Sequence, residues 1–475
     1  ADSATDVTLD NGGNALVVNA ADVAVLDGLE VAASGAGSTT VNAVAAGASD
    51  TADLSGFSGV DLIDIQEAAA GNDFDGGLTL PDAQTVRVSE DVTSNSTLDL
   101  AVGTDGSSDE VTIEIASALT GNAIRVGGAG NSSDFETVNV VAAADATVAD
   151  LIAATDVTVD VSGANDLTLT AATADAIDAS DMTGQLQVDT NAGVDTVTGG
   201  SGADRFNAAT DVATSFTGNG GNDTMLTGAI NFSNGNGLTF TGGAGTDTLA
   251  IDDGATVDQN NRLTLDSVEV ISTDVAYTVD ARDFSGKSLV LTGDSGGTNA
   301  VTVNAANTTM VDLSDIVVNT TETTVTVNGV GGIGTTVNGT NGVDTVTGAA
   351  GGDTINGNVG ADILVGAGGS DVIDGGAGDD DITFQLENGA SDTLTGGTGL
   401  DEFIMATTAA TAPQATEITD FTVSESDNLD LSEMAIEGVQ ADGTTAIANI
   451  IDGGGNVATT ANNLTIELVN SDDQE

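Results

Sequence analysis

Residues 348–383 decide the fold of this chain, and they read GAAGGDTINGNVGADILVGAGGSDVIDGGAGDDDIT. Aspartate recurs in this stretch every nine residues, and an apolar residue stands two positions after each aspartate. Together with GTNGVDTVT at 339–347, the stretch makes five nonapeptides without a gap. Each copy has glycine at positions 1 and 4, aspartate at position 6 and an apolar residue at position 8, the last two being Asp344/Val346, Asp353/Ile355, Asp362/Leu364, Asp371/Ile373 and Asp380/Ile382.

This spacing predicts a solenoid whose coils each contain two nonapeptides and are held together by metal ions. Glycine permits the positive φ that lets a tight turn aim several carbonyl oxygens at one point, and aspartate adds a carboxylate. Calcium takes roughly six to eight such oxygen ligands. The position-8 side chain is expected to point inward and its neighbours outward, because strand faces alternate. Residues 18 apart then stack, so Asp344, Asp362 and Asp380 form one ladder, and Asp353 and Asp371 another.

Less regular copies of the nonapeptide occur on both sides of the dense stretch. GGSGADRFN (199–207), GGAGTDTLA (242–250) and GGTGLDEFI (396–404) are full matches. GNGGNDTML (218–226) is nearly full, TNAGVDTVT (190–198) lacks the first glycine, and ENGASDTLT (387–395) lacks both. Their spacing is broken, so we expect most of them to lack a partner 18 residues away, and ordinary polar turns are the alternative interpretation. The further metal-ligand candidates are Asp195, Asp204, Asp223, Asp247, Asp392 and Asp401.

The charge balance of the chain excludes several classes of partner. Its 475 residues include 74 acidic and 6 basic ones, for a formal net charge of -68. Such a chain repels nucleic acid and anionic membrane surfaces, so neither is an expected partner. A disordered acidic chain is the alternative, but 40% of the residues are hydrophobic and follow regular patterns. We therefore expect a folded protein whose carboxylates are screened by several calcium ions.

The residue types that are missing argue against an enzyme. Histidine and cysteine are absent, which removes zinc ligation by these residues, Ser-His catalysis and disulfides. A pair of carboxylates acting as a glycosidase is the remaining alternative, but the single tyrosine, Tyr277, offers little platform for a sugar. No apolar run is long enough to span a membrane. We expect no catalytic activity and no membrane insertion.

Short alternating segments predict the rest of the fold. TVNVV (137–141), DVTVDV (156–161), DLTLTA (166–171), QLQVDT (185–190) and TVTVN (324–328) alternate apolar and polar residues, as half-buried strands do. Their spacing is typical of successive coils of a parallel β-helix. The predicted fold class is all-β, an elongated parallel β-helix and calcium β-roll solenoid. The alanine-rich segments 143–154 and 406–410 are expected to be either short helices or further turns of a coil.

We predict five segments along the chain. These are a β-rich domain at 1–136, β-helical coils with interspersed repeats at 137–250, β-rich coils at 251–338, the calcium β-roll at 339–404, and a C-terminal cap with a secretion signal region at 405–475.

The nonapeptide resembles the repeat of the repeats-in-toxin (RTX) family, G-G-x-G-x-D-x-U-x. Residues 417–434, EITDFTVSESDNLDLSEM, resemble the segment that follows such repeats in type I-secreted proteins, through Ile418, Asp420, Phe421 and the run 429–432. This resemblance implies an uncleaved C-terminal secretion signal, and no N-terminal signal peptide is visible. The same segment is also expected to cap the open edge of the last coil.

The composition as a whole is similar to that of bacterial surface-layer proteins of the RTX type, as in Caulobacter. That resemblance implies a calcium-dependent two-dimensional lattice of identical subunits at the cell surface. It also suggests contact with a surface polysaccharide or lipopolysaccharide, through a region that the sequence does not identify. The alternative is a segment of a large RTX adhesin, although the near-identical immunoglobulin-like domains that are usual in adhesins are not visible.

Overall fold

The computed structural model describes residues 7–10, 16–20, 26–45, 52–67, 77–89, 97–103, 108–127, 135–153, 157–190, 194–208, 214–227, 237–251, 263–273, 276–293, 299–305, 308–319, 323–329, 334–385, 389–406, 416–421, 426–430, 451–452 and 464–466. These residues are nearly all β and form a parallel β-solenoid, which confirms the predicted fold class. They divide into two compact units. The first comprises the described residues up to Ala250 with Thr264–Val268, and the second comprises Ile251, Leu263 and those from Glu269 onward.

In the first unit, successive strands alternate between two parallel sheets. One sheet has the order β2-β4-β7-β9-β11-β13-β15-β17-β19-β21-β23-β25, and the other contains β5-β8-β10-β12-β14-β16-β18-β20-β22-β24, while β1-β3-β6 form a small third sheet. The strands are β1 (Val7–Asp10), β2 (Leu16–Ala20), β3 (Val31–Ser34), β4 (Thr39–Ala45), β5 (Ala52–Asp53), β6 (Phe57–Ser58), β7 (Leu62–Glu67), β8 (Leu78–Leu80), β9 (Gln84–Val88), β10 (Thr97–Val102), β11 (Glu110–Ile115), β12 (Leu119–Val126), β13 (Thr137–Ala142), β14 (Ala146–Ile152), β15 (Thr158–Gly163), β16 (Leu167–Thr173), β17 (Ala176–Met182), β18 (Leu186–Thr190), β19 (Thr196–Thr198), β20 (Arg205–Ala208), β21 (Thr214–Gly220), β22 (Thr224–Thr227), β23 (Leu238–Ala244), β24 (Thr248–Ile251) and β25 (Leu263–Asp266).

The second unit repeats the same arrangement. Its sheets have the orders β27-β29-β32-β34-β36-β38-β40-β42 and β30-β33-β35-β37-β39-β41-β44-β43, and β26-β28-β31 pair with one another. The elements are β26 (Val270–Thr273), β27 (Tyr277–Asp280), α1 (Ala281–Phe284), β28 (Leu289–Gly293), β29 (Asn299–Asn304), β30 (Met310–Asp312), β31 (Ile316–Val318), β32 (Thr323–Asn328), β33 (Thr336–Asn338), β34 (Asp344–Thr347), β35 (Thr354–Val359), β36 (Ile363–Val365), β37 (Val372–Ala377), β38 (Asp381–Gln385), β39 (Thr393–Thr398), β40 (Glu402–Ala406), β41 (Thr416–Ile418), β42 (Asn428–Asp430), β43 (Ile451–Asp452) and β44 (Leu464–Ile466). β44 runs antiparallel to both of its neighbours.

Most strands whose side chains are described contribute alternate side chains to a thin core, as the alternating sequence predicts. In β11, Val111, Ile113 and Ile115 are fully buried, and the residues between them are half-exposed. The small side chains that dominate the sequence allow parallel strands to stack in direct register. The bulkiest part of the core is a ring stack in the first unit, where Phe216 lies 5.3 Å from both Phe206 and Phe240.

The strand predictions around 137–141, 156–161, 166–171, 185–190 and 324–328 are confirmed by β13, β15, β16, β18 and β32. The helical alternative for 143–154 is wrong, because β14 occupies this segment and buries Val148 and Leu151. In the segment 406–410, the residues after Ala406 lie outside the described residues. The pairing of β11 with β13 runs across the predicted boundary at residue 136.

The short helix α1 was not predicted. Asp280 is its N-cap, and its carboxylate accepts a hydrogen bond of 2.9 Å from the backbone N–H of Arg282. The Arg282 guanidinium pairs with the same carboxylate. A capped single turn of this kind leaves too short a pattern to be recognised in the sequence.

Candidate metal centre

The dense repeats fold as their spacing predicts. Position 7 faces solvent, and at Ile363 and Val372 even large apolar side chains are 44% and 48% exposed. Position 8 forms the core, where the fully buried side chains are Val346, Ile355, Leu364, Ile373 and Ile382. β34 pairs with β36 and β36 with β38, so that alternate nonapeptides lie directly above one another. The aspartate of each copy therefore falls at a fixed place between coils.

Four aspartates make the longest stack, which we call the second ladder: Asp344, Asp362, Asp380 and Asp401. Each backbone N–H donates to Oδ1 of the next member, at 2.8 Å from Asp344 to Asp362, 2.8 Å from Asp362 to Asp380 and 3.1 Å from Asp380 to Asp401. All four side chains are no more than 1% exposed. One carboxylate oxygen of each of the last three members thus joins it to the coil before.

Two further stacks have the same geometry. The first ladder contains Asp204, Asp223 and Asp247, joined by N–H to Oδ1 distances of 2.7 Å at both steps. The third ladder contains Asp353, Asp371 and Asp392, joined at 2.8 and 3.0 Å. The two predicted ladders are therefore present, and they continue beyond the regular repeats.

The irregular copies have no ladder partner 18 residues away, as expected, but they stack at other spacings. Asp204 and Asp223 are 19 residues apart, Asp223 and Asp247 are 24 apart, and Asp371 and Asp392 are 21 apart, yet all three pairs stack. The extra residues fall between strands, where a solenoid accepts insertions without shifting the register of its coils.

Asp195 is not brought into any ladder. Its side chain is exposed, and its backbone bonds to Asp175 and Ser215 rather than to another candidate. Its repeat differs from the next copy at position 1, where Thr190 stands in place of glycine. In the next copy, a Cβ added to Gly199 would lie 2.3 Å from Oδ2 of Asp204. A side chain at position 1 would crowd a carboxylate folded as that of Asp204 is, although Asp392, whose repeat has Glu387 at position 1, still joins the third ladder.

The ladders occupy core positions of their sheets. In the second unit, Tyr277, Val301, Val325 and Asp344 pair directly across four successive strands, so the second ladder continues a column of buried apolar side chains. In the first unit, the backbone N–H of Leu186 donates to Asp204 Oδ1 in the same way, at 2.7 Å. The ladder carboxylates thus occupy the core position that apolar side chains occupy in the neighbouring coils.

The second oxygen of several ladder carboxylates has no donor. Among the described residues, Oδ2 of Asp223, Asp362, Asp380 and Asp401 is buried without a hydrogen-bond partner. By contrast, Oδ2 of Asp353 accepts a backbone N–H from Ala349 at 2.7 Å, and those of Asp204 and Asp344 accept similar bonds. A buried carboxylate oxygen with no partner is costly, so these atoms need a cation or a proton.

Backbone carbonyl oxygens converge on the same points. A Cβ added to Gly357 would lie 2.4 Å from Oδ2 of Asp362 and 2.5 Å from the carbonyl oxygen of Gly375. At Gly375 the corresponding distances are 2.4 Å to Asp380 Oδ2 and 2.6 Å to the Gly396 carbonyl. Carboxylate and carbonyl oxygens from adjacent coils therefore surround one small space, and an all-oxygen donor set of this kind suits calcium.

Burial changes the acidity of these groups. Removal from water raises the pKa of Asp362 to about 8, helped by the charges of Asp344 and Asp380 and opposed by a backbone hydrogen bond. Burial likewise raises the pKa of Asp344 and Asp223 to about 7, and of Asp380 and Asp401 to about 6. Without a cation, these carboxyl groups of the first and second ladders thus take up protons near neutral pH.

No group of three or more acidic side chains forms a metal cluster within the part of the chain that the structure describes. The candidate sites differ from such clusters because each joins one or two carboxylates to backbone carbonyl oxygens. Because backbone carbonyl oxygens take part in each candidate site, the backbone must come close to the carboxylate. Glycine allows this approach, and it accompanies every ladder aspartate of the five tandem repeats.

Two further aspartates close the end of the second ladder. Both oxygens of Asp420 accept backbone N–H groups, from Gly396 at 2.9 Å and Gly397 at 2.8 Å. Asp427 Oδ1 lies 3.4 Å from the backbone nitrogen of Asp401, at the position of the next ladder member. The sequence predicts Asp420 as part of the secretion segment, whereas Asp427 was not predicted as a ladder member.

The segment that holds these two residues forms a further coil. β41 and β42 extend the two sheets of the roll, and Phe421 lies 6.1 Å from Phe403. This geometry extends the roll by one strand in each sheet, and the cap stays a prediction. Asp427 had a visible signal, because Leu429 follows it at the same spacing as the apolar residue in each repeat.

Comparison with protein families finds the RTX calcium-binding nonapeptide repeat in four matches, at residues 187–211, 331–364, 338–373 and 356–385. The chain therefore carries RTX calcium-binding repeats. The matches include the ladder aspartates from Asp344 to Asp380 and Asp204, whereas Asp223, Asp247, Asp392 and Asp401 lie outside them. No curated protein and no solved structure matches the chain. No helix among the described residues is long and apolar enough to cross a membrane.

Proposed function

We propose that this is a secreted structural protein that calcium ions fold and that assembles with copies of itself into a surface layer. The observation that carries the proposal is the buried, unpartnered Oδ2 of Asp362 and Asp380, next to carbonyl oxygens of the following coil. Calcium supplies the missing partner and neutralises carboxylates that stack one above another.

The ions are held by the three ladders in this proposal. Their ligands are the ladder aspartates and the glycine carbonyls beside them, with Asp420 and Asp427 completing the end of the second ladder. Asp195 is the candidate calcium ligand with the least structural support, because it is exposed and lies outside the ladders. Each ion links two coils, so calcium binding and folding are coupled.

The surface-layer role is supported by charge. A subunit with a net charge of -68 repels its own copies, so association requires cations. Calcium both folds such a subunit and lowers this repulsion, which makes assembly dependent on the calcium concentration outside the cell. Surface polysaccharide or lipopolysaccharide is the anchor that we propose, and we propose no catalytic role.

The test is assembly of the full chain on addition of calcium. Purified protein stripped of metal is dialysed against millimolar calcium, or against magnesium at the same ionic strength, and viewed by electron microscopy. Ordered sheets in calcium but not in magnesium support the surface layer. Folded protein that stays monomeric in calcium counts against it and favours the adhesin alternative, in which the coils act as a stalk.

A further inference from the structure

The third ladder ends on a threonine. Along this column, the residue after each member donates its backbone N–H to the carbonyl oxygen of the previous member, at distances of 2.8–2.9 Å. The final step joins Glu417 N–H to Asp392 O at 2.9 Å, which places Thr416 at the register position of the next aspartate. The whole column reads Thr335, Asp353, Asp371, Asp392 and Thr416.

The hydroxyl of Thr416 is buried and lacks a partner. The side chain is 1% exposed, and Oγ1 makes no hydrogen bond to any described residue. The neighbouring Glu417 is exposed, so Thr416 is on the inward face of β41. On its other side, the Thr416 backbone pairs with Ile466 of β44. An unpaired buried hydroxyl is unfavourable, and a β-branched apolar residue would fill the same space without that cost.

We propose that Thr416 Oγ1 is a ligand of a terminal calcium site shared with the carboxylate of Asp392. This inference rests on the proposed calcium binding by the third ladder. Calcium accepts neutral oxygen ligands, and the hydroxyl stands where an interior site has its second carboxylate. The ion supplies the partner that Oγ1 lacks.

The neutral ligand makes the terminal site the weakest of its column. Interior steps of the third ladder place two aspartates at neighbouring register positions, Asp353 with Asp371 and Asp371 with Asp392. Calcium affinity follows the number of charged ligands. The second ladder ends differently, because Asp427 offers a carboxylate at the corresponding position. The C-terminal sites of the second and third ladders therefore bind calcium at different concentrations, and the Thr416 site is the last to be occupied.

Three variants of the full chain isolate the hydroxyl. Thr416→Val removes it while keeping the branched shape, and Thr416→Ser keeps it. Thr393→Val makes the same chemical change on the half-buried outer face of the third ladder's sheet. Calcium stoichiometry and affinity are measured by titration calorimetry on metal-stripped protein, and thermal unfolding is measured in EDTA and in saturating calcium.

Thr416→Val is expected to bind one calcium ion fewer, or to bind the last ion about tenfold more weakly, as loss of one ligand implies. Thr416→Ser and Thr393→Val are expected to match the wild type. In EDTA, Thr416→Val is expected to be at least as stable as the wild type, because it removes an unpaired polar group, whereas in calcium it is less stable.

A gain-of-function variant covers the case in which Thr416→Val fails to fold. Thr416→Asp supplies the missing charge and is expected to tighten the weakest site by about tenfold. An unchanged calcium count and affinity in Thr416→Val, or no tightening in Thr416→Asp, would overturn the terminal site while leaving the other ladders intact. If the wild type binds no calcium at all, the proposed function fails and this inference fails with it.

Discussion

Glycine at position 1 of the repeat is required by space rather than by backbone conformation. A positive φ is expected of the repeat glycines, and the structure has it at position 4 of several copies, as at Gly360 with a φ of 150° and Gly378 with 148°, and at position 2 in Gly376 with 103°. Position 1, as at Gly357, lacks a positive φ but leaves no room for a Cβ beside the carboxylate. The two glycines of the motif thus have separate physical roles.

Gly218 and Gly220 test this distinction within one turn. A Cβ at Gly218 would lie 2.0 Å from Asp223 Oδ2, whereas the nearest atom to a Cβ at Gly220 is the Ser201 Cα at 3.9 Å, and neither glycine has a positive φ. We expect Gly218→Ala to weaken calcium-dependent stabilisation of the first unit and Gly220→Ala to leave it near the wild type. Thermal unfolding with and without calcium measures this, and equal effects of the two variants would refute it.

The ladder position of an aspartate, rather than its charge, decides its contribution. Asp362 has a stacked partner on each side and a buried free oxygen, while Asp195 is exposed. We expect Asp362→Asn to raise the calcium concentration needed for folding by about tenfold or more, and Asp195→Asn to change it little. The midpoint of a calcium titration followed by circular dichroism gives the comparison. A similar shift in both variants would mean that general charge, not the ladder, governs binding.

The first and second ladders also respond to pH, in opposite directions with and without calcium. The pKa of Asp362 is raised above its ordinary value to about 8 by burial, and the pKa of Asp380 to about 6. A carboxyl with a raised folded-state pKa contributes stability that is complete below its unfolded pKa and is lost as pH rises through the folded value. Calcium binding requires the ionised form, so protons compete with the ion.

In EDTA, we therefore expect the melting temperature of the second unit to rise as pH falls from about 8 to about 5. In saturating calcium, it is expected to fall over the same interval. Asp362→Asn is the control, and it should flatten the EDTA profile between pH 6 and 8, where Asp362 is expected to titrate. A wild-type profile with the same slope in both conditions would contradict the account.

The regular coils could be predicted from the sequence because the nonapeptide repeats without a gap. The nonapeptide fixed the stacking of Asp344 on Asp362 and the inward side of Leu364. The stacking of Asp223 on Asp247 could not be predicted from the sequence, because an inserted segment lengthens their separation beyond the 18-residue step. Only the strand pairing shows that the two residues lie in register. Thr416 carries little sequence signal beyond Ile418 two positions later, because its importance arises from the backbone register that places it next to Asp392.

At the scale of the whole molecule, the large negative charge allows two effects of calcium on association to be told apart. One is binding at specific sites, and the other is general screening of the repulsion between subunits. With a net charge of -68, subunits repel one another in any buffer of low ionic strength. About 0.5 M sodium chloride shortens the screening length to roughly 4 Å, which removes most of that repulsion without offering a divalent ligand.

We expect sodium chloride alone to leave the full chain unassembled and millimolar calcium to assemble it at the same ionic strength. Light scattering during the two titrations measures this difference. Assembly driven equally well by sodium chloride would show that screening is sufficient and that the ladders are not needed for association.

The central claim is that calcium in the aspartate ladders holds the roll together. Hydrogen exchange followed by mass spectrometry tests it most directly, because it resolves the roll from the apolar coils of the same chain. We predict that peptides within 339–383 are protected in calcium and exchange rapidly in EDTA, while peptides within 157–190, whose core is hydrocarbon, keep most of their protection in both. Equal protection of 339–383 with and without calcium would contradict the account.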